Sequence, residues 1–424
     1  MMPTPMNDHN ATDARDEQDR SWLNRTVVGA GLTSALGDLC YETTTVILPG
    51  FLAVLGLPAA VLGIVEGVAD AVASFTKMVS GYLSDKFGHR KALVLLGYAF
   101  TPLGQALIAM ALGWPLVLAG RVVSWFGKGL RGPLRDAIVV QAITPPTRGR
   151  ALGFHRAMDT LGAVVGPLLG VALLAWAGEA SGSNPADPFR LVLWLSVVPG
   201  VLAVLTFLAL VHDPESSPNP ALSFFTTIGG LPASFKRYVG AVGVFGVGDF
   251  SHGLLILAAT VSLTPSMGTV QAAQVAGLLY VGRNLTQALA SYPIGALADR
   301  HGSLPVLVVG YALGALTAAL TALAFLFHLD QVAVWGTIFL AAGLYVAAQD
   351  TLESAVTTEL VAADRLGTGL GTLGTVNGVA KFLSSALVGT LWTVVSPLLA
   401  FGLAAALMTL GTVSLARVRS NRRV

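Results

Sequence analysis

The chain has 424 residues, of which 54% are hydrophobic and only 11% charged, and its formal net charge is +2. With a mean hydropathy of +0.71, such usage lies outside that of water-soluble domains and points to a polytopic membrane protein. The basic residues cluster in loops and tails, which argues against a nucleic-acid partner, and a single cysteine, Cys40, rules out an internal disulfide and has no metal-site spacing around it.

Residues 1–24 are polar, mixed in charge and free of any apolar core, so they read as a cytoplasmic tail rather than a cleavable signal. Apolar runs of about 20 residues, enough to cross hydrocarbon, follow near 26–50, 59–82, 92–112, 115–137, 151–177 and 191–211. A second set lies near 237–262, 273–296, 305–327, 332–352, 367–395 and 397–416. Between the sets, residues 212–236 are rich in proline, serine and glycine and form the expected linker. The expected domains are thus a bundle over 25–211, a linker over 212–236, a second bundle over 237–416 and a basic tail over 417–424. The fold class is an all-α membrane protein with twelve transmembrane helices in two pseudo-symmetric six-helix bundles. Loop cations such as Lys86, Arg90, Lys91, Arg148, Arg150, Lys236, Arg300 and Arg365 all fall on one side, so both termini are expected in the cytoplasm of a prokaryotic cell.

An internal repeat sharpens this picture. GYLSDKFG at 81 recurs as GALADRHG at 295, an offset of 214 residues that also relates Gly63 to Gly277, Asp136 to Asp350 and Gly153 to Gly367. One unit has been duplicated in the same orientation, the arrangement that lets two bundles rock about a shared site.

The pattern G-x-L-[SA]-D-[KR]-x-G, after spans 2 and 8, resembles the loop motif of the major facilitator superfamily of secondary transporters. The resemblance implies a cytoplasmic latch in which Gly81 and Gly295 permit close packing while Asp85 and Asp299 accept from a helix start across the interface. Arg90 and Asp136 in one half, Arg300 and Asp350 in the other, complete the gating set, with Asp136 expected to pair with Arg90 or Lys86, and Asp350 with Arg300. In span 5, GAVVGPLLG resembles the motif of proton-exchanging exporters in the same superfamily. Gly162, Gly166 and Gly170 would let helices approach, and Pro167 would bend the span. GKGLRGPLRD with RGRALGFHRAMDTLG resembles an uncharacterised prokaryotic branch of these facilitators.

Charges inside spans are costly and mark function. The family resemblance assigns the central cavity to spans 1, 4, 7 and 10. Span 1 carries Asp38 and Glu42 four apart, span 4 carries Arg121, Lys128 and Arg135 at successive sevens, and span 7 carries Asp249 and His252. Asp38, Glu42, Arg121, Lys128 and Asp249, with Asp70 in span 2, are the substrate and coupling candidates, and the Arg121–Lys128 stripe is expected to face the acidic pair. The resemblance also packs span 2 on span 11 and span 5 on span 8, which brings Asp70 to the depth of Lys381 and Arg283 near Asp159. No Walker loop is present.

The function expected is alternating-access transport of a small organic solute, with protons as coupling ion and export as direction. Uptake or facilitated diffusion of an organic anion is the alternative. A membrane enzyme or lipid-remodelling protein is the reading from another class, for which HRAMDT, residues 155–160, offers no nucleophile except Thr160. No cofactor and no metal are expected, and the chain is expected to work as a monomer in the lipid bilayer of the cell membrane.

Overall fold

The computed structural model describes residues 22–87, 91–143, 148–180, 184–212, 232–361 and 366–418. Most of the expected N-terminal tail, most of the linker and the basic end after Val418 lie outside the described residues. Thirteen helices fill those segments. The first half holds α1 (Arg25–Val54), α2 (Ala59–Phe87), α3 (Lys91–Ala109), α4 (Trp114–Gln141), α5 (Arg148–Ala180) and α6 (Asp187–Leu210). The second holds α7 (Ala233–Gly246), α8 (His252–Met267), α9 (Thr269–His301), α10 (Ser303–Leu326), α11 (Val332–Leu360), α12 (Leu366–Val394) and α13 (Pro397–Ala416).

Local chemistry sets the helix ends. Asn24 caps α1, its Oδ1 accepting from the Val27 N–H at 3.0 Å while its amide donates to Ala142 O at 2.7 Å. Ser396 caps α13 by accepting from Leu399 N, and Pro397 opens that helix where no N–H partner is needed. Gly302, at φ 93°, ends α9 and lets the chain turn directly into α10.

The duplicated sequence is visible in the packing. In the first half α1 packs on α5 and α6, and α4 packs on α2 and α3; in the second, α7 packs on α12 and α13, and α11 packs on α9 and α10. Each pair is its counterpart moved six spans on. Across the halves α2 packs on α12 and α5 on α9, the expected contacts of span 2 with 11 and span 5 with 8.

One span differs from expectation. The seventh, read as continuous over 237–262, is two helices separated by Val247–Ser251. Gly248 lies so close to α13 that a Cβ there would stand 2.6 Å from Ala404 O, and the Ser251 N–H leaves the helical ladder to donate to Ser385 Oγ at 3.1 Å. Bare backbone at this depth is tolerated because protein surrounds it or a cavity receives it.

Seven helices among the described residues, α2, α3, α5, α6, α10, α11 and α13, are long and apolar enough by composition alone to cross a membrane. Those that fall short include α1, α4, α9 and the broken seventh span, which carry Asp38, Glu42, Arg121, Arg131, Arg135, Asp249 and Arg283 among the buried charges.

Candidate functional site

A cavity of about 1280 Å³ lies between the halves, and both contribute to its wall. Among the described residues seven acidic and seven basic side chains line it, so the charge they bring is high in number but balanced in sign. At the end opposite the chain termini the halves meet. Ala60 N donates to Thr393 Oγ1 at 2.8 Å, a Cβ on Gly50 would stand 2.9 Å from Ala273 Cβ, and Gly63 lies against Ser385 O and Gly389. Toward the termini the lining continues to Asp136, Arg156, Asp350 and Gly371, so among the described residues the cavity extends out to that end.

The span 5 glycines position the acids of span 1. A Cβ on Gly162 would stand 2.7 Å from Asp38 Cβ, one on Gly166 2.8 Å from Glu42 Cβ, and one on Gly170 2.7 Å from Val46 Cγ1. The stripe therefore sets α5 against the face of α1 that carries Asp38 and Glu42. Pro167 has a second effect: it lacks the N–H that would bond Ala163 O, and that carbonyl accepts instead from Asn284 Nδ2 of the other half at 2.9 Å. One turn earlier on α9, Tyr280 donates to Glu42 Oε2 at 3.1 Å.

Gly166→Leu is expected to push α1 and α5 apart at a cost of about 1–3 kcal/mol. Gly178→Leu, where the nearest side-chain atom to a Cβ is 3.9 Å away, is expected to change little. Thermal unfolding in detergent would compare them, and equal transitions would contradict the packing role.

The charged stripe of α4 has different partners from those expected. Arg121 is fully buried and holds Glu66 of α2 in a bidentate pair, Nε to Oε1 at 2.9 Å and Nη2 to Oε2 at 3.1 Å. Nη2 also donates to Thr45, and the guanidinium lies 3.5 Å from the Trp125 ring centroid. Asp38 finds Arg131 at 3.7 Å, not Arg121 or Lys128. Lys128 donates to the Tyr41 hydroxyl at 2.9 Å, and its nearest ring face is that of Tyr41, 4.1 Å away.

Arg135 bonds Asp136 at 3.1 Å, approaches Asp159 at 3.7 Å, and donates to Ser34, which in turn bonds Asp159. Arg283 consequently does not pair with Asp159; its Nη1 donates to Asn284 Oδ1 and Gln287 Oε1 at 2.7 and 2.9 Å.

Asp70 and Lys381 both line the cavity, and their depths agree, since Gly67 packs on Phe382 and Gly378 on Ser74. Even so, Asp70 accepts from Trp125 Nε1 at 2.9 Å and forms no salt bridge with Lys381. Asp350 accepts from Gln287 at 2.7 Å rather than from Arg300. Arg300 lies thirteen residues beyond Gln287 on α9, roughly 20 Å along a helix axis. Asp249 meets Gln349 at 3.4 Å, and the His252 ring stacks on Tyr280 at 5.6 Å.

Of the latch, Arg90 and the side chains of Asp85, Lys86 and Asp299 lie outside the described residues, as do the surroundings of Gly81. Gly295 is in ordinary contact, with Thr351 Cγ2 3.7 Å from a Cβ position, so close approach does not require glycine there. Cys40 is fully buried, a packed thiol. Among the described residues no cluster of three metal-ligating side chains occurs.

Two acids emerge only from the structure. Glu66 obeys the same rule as Asp38, a charge inside a span, but it sits on span 2, outside the spans assigned to the cavity. Glu353 on α11 is buried, accepting from Tyr311 at 2.6 Å and Asn377 at 2.5 Å.

The chain matches the model of the Major Facilitator Superfamily over residues 30–272 and 239–423. It is 28% identical over 386 residues to an uncharacterized MFS-type transporter of Methanocaldococcus jannaschii, covering 91% of this chain and 92% of that one. An uncharacterized protein of Mycobacterium tuberculosis is 30% identical, with 87% of each chain covered. Among solved structures, the nucleoside transporter NupG superposes with a TM-score of 0.76 at 14% identity, over 93% of this chain and 99% of that one.

Proposed function

This chain belongs to the major facilitator superfamily, and we propose that it moves a small polar organic solute across the cell membrane by alternating access, coupled to protons in the direction of export. It is a multi-pass membrane transporter, not an enzyme. The observation that carries the proposal is the interdomain cavity, closed at one end by glycine contacts and walled by charges of both signs from both halves. A cavity between two bundles whose described residues meet at one of its ends is one intermediate of a rocking cycle. Its balanced charge suits a polar solute better than a lipophilic one.

The termini, and the end to which the cavity opens, are placed in the cytoplasm on the positive-inside argument. Export is supported by the span 5 motif, whose glycines set the acids of span 1 and whose proline frees a carbonyl for the opposite half. Asp85, Asp299, Asp136, Asp350 and the nearby cations remain the proposed latch for the opposite state, in which the termini end closes.

Proton coupling is assigned to Asp38 and Glu42, the acids beside a mobile interface. Asp38 faces Arg131 within its own half, whereas Glu42 is tied to Tyr280 of the other half, a contact that rocking must break. In proteoliposomes with an imposed pH gradient and a panel of charged and neutral solutes, the wild type is expected to accumulate its substrate. Asp38→Asn or Glu42→Gln is expected to abolish gradient-driven accumulation while sparing counterflow exchange, which needs binding but no net proton movement. Full accumulation in both variants would place coupling elsewhere, with Asp70 and Asp249 next in line.

A further inference from the structure

Resting on the transporter reading, we propose that the break in the seventh span opens a side pocket of the cavity inside the second half, and that this pocket takes an uncharged apolar group of the solute. The solute is then a small amphiphile. Its polar end stays in the main chamber, and a compact end, an aryl ring or a branched alkyl chain, sits behind the break.

The cavity wall differs between the halves, and that difference carries the proposal. In the first half the lining comes from α1, α2, α4 and α5, and among the described residues α3 and α6 contribute none. In the second half their repeat counterparts, α10 and α13, do contribute, through Gly314, Thr317 and Met408. Both helices pack on neighbours in their own half, α10 on α11 and α13 on α7 and α12. The space therefore reaches past the central spans into the second bundle, on the side where the seventh span is interrupted at Val247–Ser251.

Distances bring the wall together directly behind that break. A Cβ on Gly248 would stand 2.7 Å from Met408 Cγ, and one on Gly314 would stand 2.9 Å from Met408 Cε, from Tyr345 Cδ2 and from Phe245 Cζ. Thr317 follows Gly314 by three on α10, and Tyr345 follows Ala342 by three on α11, so each helix turns one face to the space. The surface they offer is ring carbon, thioether and small side chains, and the Thr317 hydroxyl is turned back on Leu313 O at 2.9 Å. Polar groups stand at the mouth instead. Asp249, in the break, meets Gln349, one turn beyond Tyr345, at 3.4 Å. The Tyr345 hydroxyl lies beside Asp249 but makes no hydrogen bond of proper geometry, which leaves it to an acceptor on the solute. Glu353, a further turn along α11, is held by Tyr311 and Asn377 and does not line the cavity. A charged group behind the break would thus be buried without a partner, whereas an apolar one finds the wall that such pockets present.

The test uses thiol reagents on the full chain in a Cys40→Ser background. Thr317→Cys reports the pocket and Ser291→Cys the main chamber, since both positions line the cavity. Rates are taken relative to a free thiol. The preference for benzyl methanethiosulfonate over the anionic sulfonatoethyl and cationic trimethylammonioethyl reagents is expected to be about tenfold greater at Thr317→Cys than at Ser291→Cys, because a charge entering the pocket lies unpaired. Adding Ala342→Leu, which fills the pocket, is expected to slow the benzyl reaction several-fold at Thr317→Cys and to leave Ser291→Cys unchanged. Phenol is expected to protect Thr317→Cys and benzenesulfonate is not, a comparison that needs no second substitution. Equal selectivity at the two thiols, a benzyl rate at Thr317→Cys indifferent to Ala342→Leu, or equal protection by phenol and benzenesulfonate would overturn the pocket. Alternating access is read separately from spin-label distances that need no ligand, so failure here leaves the transporter reading standing.

Discussion

Glu66→Ala is expected to destabilise the protein by about 3–5 kcal/mol, the cost of stranding one partner of a buried ion pair. Arg121 has no exposure to solvent, and Glu66 is its only carboxylate partner among the described residues. One nitrogen of the guanidinium, Nη1, already lacks a partner, so losing Glu66 would leave only Thr45 and the Trp125 ring to hold the charge. The double substitution Glu66→Leu with Arg121→Met removes both charges and is expected to restore most of the stability, because an apolar pair of similar volume escapes the desolvation penalty. Thermal unfolding of the purified protein, followed by tryptophan fluorescence, would measure both. If Glu66→Ala unfolds at the wild-type temperature, the pair does not hold the first half together.

Gly63→Ala is expected to shift the resting conformation. The Cβ it adds would meet the Ser385 carbonyl of the other half and stand 3.1 Å from the Cα of Gly389. Neither is the flexible end of a side chain, so α2 and α12 must separate. Overpacking of this kind costs about 1–3 kcal/mol, and because the contact exists only where the halves meet, the cost falls on the state seen here. The population should move toward the opposite state by roughly 5–150-fold, the equivalent ratio. Gly389→Ala should act in the same direction, since its Cβ would meet Ala59 O at 2.7 Å. Thiol labelling inside the cavity from the termini side should slow in both variants, and unchanged labelling would contradict the packing argument.

How far the sequence could be read follows from the physics of each element. Hydropathy and the 214-residue repeat disclose the two bundles, because apolar runs and duplicated loops are local properties of the chain. The pairing of α2 with α12 and α5 with α9 follows once the repeat and the family resemblance are in hand. The break before α8 is hidden from a hydropathy window, which averages the glycines and Asp249 with their apolar neighbours. Yet Gly246, Gly248, Asp249 and Ser251 stand within six residues and mark it in retrospect.

Ion-pair partners were the least legible. Lys128 and Arg131 are three apart and share a face of α4, so periodicity alone could not say which would meet Asp38. The α5 stripe was legible as a packing device, but its register against Asp38 and Glu42 required coordinates. The expected Asp350–Arg300 pair joined the cytoplasmic end of span 10 to the loop after span 8, but Asp350 bonds Gln287, and the distance along α9 keeps Arg300 away.

The central claim is that the two halves alternate in closing the cavity, and distances between spin labels test it most directly. One pair, at Leu57 and Val395, reports the end where the halves now meet; a second, at Gln141 and Thr358, reports the end where the cavity opens. Pulsed dipolar spectroscopy on the wild type and on Gly63→Ala should show the first distance lengthening as the second shortens, two anticorrelated populations with no ligand required. Both distances staying fixed, or both moving in the same direction, would contradict the account.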